Sequence, residues 1–189
     1  MLQKIKLWWH YDAKHWPKSF VTGIKNLWKW FPVIWKDRDY DSAYIYRMLQ
    51  FKLEQQAYGM ASRDRHVSTQ RDAELMLLCA RLCHIQQEES YADEYLDYVE
   101  RKHEFVATDE TKRHYTVEST VVKDNLDEYF ALYPQQYKRA LQGKIAWWGD
   151  ETDAEDRTSL AVCIAWDNQE RSKRLLFKIL DQRIGDWWD

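Results

Sequence analysis

Glycine and proline are scarce, at five and three of 189 residues. Barrels, sandwiches and other turn-rich β folds need many more of both. Long apolar stretches are missing too. The longest, Leu160 to Trp166, has seven residues, against the roughly 20 a helix needs to cross a bilayer, so no transmembrane segment is expected. The start, MLQKIKLWWHYDAKHW, lacks the apolar region and small-residue cleavage site of a secretory signal. Only three cysteines occur, Cys79, Cys83 and Cys163, each in an apolar, helix-like stretch. That set reads as reduced, packed thiols of a cytoplasmic protein rather than a disulfide framework. There is no P-loop, dinucleotide fingerprint, G-x-S-x-G or H-E-x-x-H, so neither a cofactor nor an enzymatic activity is expected. Nor does one charge sign dominate: 28 basic against 31 acidic side chains give a net −3. With no helix dense in Lys and Arg, duplex DNA is a poor partner.

What the chain has is aromatics. Eleven Trp, 12 Tyr and 6 Phe make up 15% of it, and every Trp falls in residues 8–35 or 147–188. The same ends carry opposite charge. Residues 1–30 hold six Lys against Asp12, a net of +5, whereas residues 145–189 hold six basic and ten acidic side chains, a net of −4. This asymmetry suggests that the two ends, of one chain or of two, meet at a shared surface, or that the basic end faces an anion. A homo-oligomer is expected.

Periodicity predicts a single, mainly α-helical domain over 1–189, with four to six helices and residues 1–16 as a basic aromatic segment. Ile24, Leu27, Trp28 and Phe31 keep helical spacing between Pro17 and Pro32. Asp39 or Asp41 can cap a helix carrying Tyr44, Ile45, Met48, Leu49 and Leu53 to about Ala61. After a polar loop at 62–69, Thr69 and Asp72 suggest a capping box. Leu75, Leu78, Cys79, Leu82 and Ile85 then form a stripe, with helical character continuing to about His103. Residues 105–123 alternate, as in HYTVESTVV, and predict a small β-hairpin. Helical patterns return at 125–132, from Pro134 to a cap at Gly143, and over 154–184.

The densest chemistry lies in residues 28–41, WKWFPVIWKDRDYD. Trp35 beside Lys36 and Arg38 offers a flat ring and two cations, which suit a nucleobase and its phosphates. Against this, Trp28, Phe31 and Trp35 share helical spacing and also fit a core. Asp37, Asp39 and Asp41 have the oxygen ligands a hard cation wants, yet the turn glycine and distal Glu of a calcium loop are missing, and ion pairs or a helix cap fit as well. Arg63, Arg65 and His66 in the polar loop suit phosphate capture or simple solvation. Glu100-x-x-His103 has no second copy with which to build a di-iron site, and Cys79, Cys83 and His84 lack a fourth ligand and a common face. The Lys- and Trp-rich N-terminal stretch has the composition of a membrane-surface or single-strand-binding segment but no sharp apolar face, so packing within or between chains is the better expectation.

Two blocks carry a resemblance. WFPVIWKDRDYD (30–41), followed by Phe51-Lys52-Leu53-Glu54, and the final stretch from Leu175-Leu176-Phe177-Lys178 to Trp187-Trp188-Asp189 are similar to small accessory proteins encoded by tailed bacteriophages. Such proteins carry a W-F-x-x-I-W-x-D-R-D-x-D block, a following K-L-E and a terminal W-W-D. The resemblance implies a phage protein acting in a bacterial cytoplasm. In that setting the expected function is non-enzymatic binding, as a counter-defence sponge for a cyclic or other nucleotide signal. Trp35, Lys36, Arg38, Arg63, Arg65 and His66 would contact the ligand, and Trp28, Trp187 and Trp188 would close a pocket or interface. The alternatives are an inhibitor that docks on a host protein and a metal-dependent hydrolase using Asp37, Asp39 and Asp41.

Overall fold

A computed structural model of the protein describes residues 16–37, 41–62, 68–108, 115–145 and 156–187. Among these, six α-helices and one two-stranded sheet follow in the order α1 (Trp16–Ile34), α2 (Ala43–Ala61), α3 (Thr69–Gln87), β1 (Val99–Ala107), β2 (Tyr115–Asp124), α4 (Leu126–Leu132), α5 (Pro134–Leu141) and α6 (Arg157–Arg183). The mainly helical class and the hairpin match the expectation. No helix among the described residues is long and apolar enough to cross a membrane.

The 27-residue α6 is about 40 Å long and serves two cores. Its buried face climbs in steps of four: Leu160, Ile164, Asn168, Ser172, Leu176 and Leu180, neighbours on one side of a helix. The lower rungs, Leu160 and Ile164, enter an aromatic core with Val99, Leu126, Tyr129, Phe130, Ala140 and Ile145. The upper rungs, Leu176 and Leu180, enter a second core with Leu53 and Ala57 of α2 and Met76, Cys79 and Cys83 of α3. Burial pushes the Cys79 thiol up to about 11 and, with Cys79 alongside, the Cys83 thiol up to about 12, so both stay protonated and inert.

The polar middle rungs separate the cores and complete the end of α3. The last carbonyls of a helix lack intrahelical donors. Here Gln169 donates from Nε2 to the Ile85 carbonyl at 3.1 Å and accepts the Tyr91 N–H on Oε1 at 3.2 Å. Gln86 donates in turn to the Ser172 hydroxyl at 2.6 Å and the Gln169 carbonyl at 3.2 Å.

Four boundaries differ from the expectation. Helical character does not run on to His103: α3 stops at Gln87, and Glu89 sits at φ 48, a left-handed conformation that a helix cannot continue through. The hairpin therefore begins at Val99 rather than 105, pairing Val99 with Asp124 and Ala107 with Tyr115, with a bulge at Glu100/Arg101. The first helix passes through Pro32 to Ile34. At the start of α3 the cap position is Ser68, without a side-chain cap bond, and Asp72 instead pairs with Arg71 at 3.1 Å. Elsewhere the local signals hold. Asp41 accepts the Ala43 N–H at 2.9 Å from one residue before the cap position of α2, Ser42, which makes no side-chain cap bond. Gly143, at φ 63, closes α5, and Lys144 donates back to the Arg139 carbonyl at 2.9 Å.

Candidate functional site

Beside the polar rungs of α6 lies a cleft of about 450 Å³ lined by Leu82, Tyr91, Tyr133, Gln136, Asn168, Arg171, Ser172 and Leu175. That volume falls within the range of small-molecule sites. Each wall follows from the local fold. Leu82 comes from α3. Tyr91 is held in the turn beyond α3 by the Gln169 bond to its N–H. Tyr133 stands between α4 and α5, where its hydroxyl donates to Glu94 at 2.6 Å, and its ring meets that of Tyr129 edge-on with centroids 5.3 Å apart. Burial, and then the bond to Glu94, hold the Tyr133 phenol above its ordinary range.

Two amides face each other across the cleft. Gln136 donates from Nε2 to Asn168 Oδ1 at 3.4 Å. Asn168 is only 8% exposed, and its Nδ2 has no acceptor. A buried donor without a partner costs roughly 1–3 kcal/mol. It lies on the helix step that an apolar residue would otherwise occupy between Ile164 and Leu176.

Arg171 of the lining belongs to a cluster of charges. The largely buried Asp167 carboxylate is shared by Arg139 at 3.4 Å, Arg171 at 3.9 Å and Arg174 at 3.8 Å. Three guanidiniums against one carboxylate leave the cluster with two positive charges in excess. Nearby Glu170 is engaged by Lys173 at 3.0 Å. Guanidinium groups present donors in a planar fork that matches phosphate and carboxylate.

Ser172 donates its own proton to the Gln169 carbonyl at 2.7 Å, and no histidine among the described residues lines the cleft. The groups whose titration is shifted, Cys79, Cys83, Tyr129, Tyr133, Asp156 and Lys173, all move away from neutrality. A general acid or base is instead tuned towards the working pH.

Of the residues expected to form a site, none of the described ones lines this cleft. Trp28 on α1 and Trp35 just past its end are 75% and 73% exposed, and Lys36 follows them in solvent. They are therefore not core. Trp187 is the reverse: at 4% exposure it is packed in the core shared by α2, α3 and α6. Arg38, Arg63, Arg65, His66 and Trp188 lie outside the described residues, as does Asp39. No group of three His, Cys, Asp or Glu suited to a metal occurs among the described residues. Glu100 and His103 sit on a strand, where a separation of three places them on opposite faces, and His103 contacts Ser119 at 2.6 Å.

No family model, curated protein or solved structure matches the chain. The cleft is thus read from its own geometry.

Proposed function

We propose that this chain is a non-enzymatic binding protein whose cleft between α3, α5 and α6 takes a nucleotide-type ligand. The observation that carries this reading is the lining of the cleft, where two tyrosine rings, the Gln136 amide and the Arg171 guanidinium converge on one concave space. A nucleotide matches that set. Its ring nitrogens and carbonyls accept from Gln136, its face stacks on Tyr91 or Tyr133, and its phosphate reaches Arg171, where charge is in excess. The shape of the site argues against turnover, because it offers donors and rings but no activated nucleophile. The likeness of residues 30–41 and 175–189 to phage accessory proteins supports a sponge for a defence nucleotide as the biological setting. The hydrolase alternative loses support at Asp41, whose carboxylate is committed to the start of α2.

Calorimetric titration of the full chain with nucleoside monophosphates and cyclic di- and trinucleotides tests the reading. One of them should bind and be recovered intact after denaturation. Arg171→Ala, at a half-exposed position, should weaken that binding at least about tenfold and leave the melting temperature unchanged. Retained affinity in this variant, or no binding of any nucleotide, overturns the proposal, and turnover of the ligand overturns its non-enzymatic part.

A further inference from the structure

Helix α1 presents an apolar stripe to solvent. Phe20, Ile24, Leu27, Trp28, Phe31 and Trp35 are between 42% and 75% exposed. At 3.6 residues per turn they share an arc of about 100°. The rings stack along the stripe rather than against the body: Trp28 and Phe31 have centroids 6.3 Å apart, Phe31 and Trp35 5.2 Å. The helix is held from elsewhere on its surface. Val33, on the side opposite the stripe, is buried, and Trp30 meets Phe51 of α2 edge-on at 4.8 Å. Exposed apolar rows of this extent mark an interaction surface.

Charge identifies the partner. From Ala13 to Lys36 the chain has five lysines and no acid, a charge of +5, so the remaining residues together carry −8 against the overall −3. Lys18, Lys25 and Lys29 run along one flank of the stripe. A second copy seated on this face would bring two such lysine rows together without a carboxylate on either helix. An anionic lipid surface satisfies both features, because tryptophan and phenylalanine enter the headgroup boundary while lysines meet the phosphates. The acidic remainder of the chain is repelled by the same surface, which orients the molecule with α1 facing it.

We propose that α1 docks this protein on an anionic membrane surface, lying in the plane of the interface on its Phe20–Trp35 stripe. Flotation of the full chain with vesicles tests this. The protein should float with phosphatidylcholine vesicles containing one-third phosphatidylglycerol, stay behind with phosphatidylcholine alone, and release as salt is raised to about 0.5 M. Trp28→Glu combined with Trp35→Glu should reduce the bound fraction at least about tenfold, with an unchanged melting temperature showing that the fold is intact. Failure to float with either vesicle, or undiminished flotation of the double variant, overturns the proposal. So does a solution dimer that the double variant disperses, which would assign the stripe to a second copy. Retention of a protein partner through the stripe without vesicle binding would overturn it in favour of a protein interface.

Discussion

Helices α1 and α6 are built by the same rule and meet opposite fates. Each carries an apolar row recurring every three or four residues, and each is rich in large side chains. On α6 the row is buried from Leu160 to Leu180, whereas on α1 the row from Phe20 to Trp35 lies in solvent. The difference is not hydrophobicity. Helix α6 lies against α3, α4 and α5, so its row has walls to meet on both sides of the polar rungs. Helix α1 is fastened by Trp30 and Val33, which sit off its apolar row, and its larger side chains face away. An apolar stripe is thus a demand for a partner, and only for α6 does the chain itself supply one.

Substitutions should separate the two helices by what they cost. The largest effect belongs to the upper rungs of α6. Leu176→Ala removes a fully buried side chain from between α2, α3 and α6, and should lower stability by about 3 kcal/mol in urea unfolding. A loss under about 1 kcal/mol would mean that the second core relaxes around the cavity. Next comes the start of the same helix. Asp156 accepts from the Thr158 N–H at 2.9 Å and the Ser159 hydroxyl at 2.8 Å. Partial burial works to raise its carboxyl, but these bonds, with the Ser159 N–H and Arg101, outweigh it and hold the group below the ordinary value of 3.8.

Asp156→Ala should therefore cost about 1 kcal/mol at neutral pH. Because the folded value is the lower one, the contribution is complete above the ordinary value and fades as pH falls through the folded one. The melting gap between wild type and variant should accordingly narrow only on the acid side of 3.8; a gap constant into strong acid would detach the cap from its charge. The smallest effect is expected on α1. Trp28→Ser, despite removing the larger side chain, should change stability by less than about 0.5 kcal/mol. A loss comparable to that of Leu176→Ala would show that the stripe is covered in solution.

Much of this fold was legible before any coordinates. The stripes of α1, α2, α3 and α6 have helical spacing in the sequence, Asp41 and Gly143 mark ends where they should, and the alternation of HYTVESTVV foretold a hairpin. What misled was the stretch from Glu88 to His103. Its glutamates, arginine and lysine suit a helix, so nothing local announces that Glu89 adopts a left-handed turn or that Val99 starts a strand. Those turns are set by contacts from far along the chain, chiefly Gln169 at the end of α3 and the Asn125 N–H donating to the Tyr98 carbonyl at 2.8 Å.

The cleft was harder to see. Leu82, Tyr91, Tyr133, Gln136, Asn168 and Arg171 come from widely separated segments and form no motif. One signal was present: Asn168 and Ser172 occupy the steps at which the row Leu160, Ile164, Leu176, Leu180 should have stayed apolar. Trp35, Lys36 and Arg38, by contrast, place side chains of useful chemistry together in sequence.

Sequence alone determined that this chain is mainly helical, where most apolar rows run, and that lysines crowd one end. Those properties are local: spacing along a helix and charge along a chain require no knowledge of distant residues. Only the tertiary structure decided which row is core and which is surface, that Trp187 is buried while Trp28 is open, and that Asn168 and Gln136 share a cleft with Tyr133 and Arg171. Burial and convergence depend on which surfaces the folded chain brings together, and a pattern within one helix carries no record of its partner.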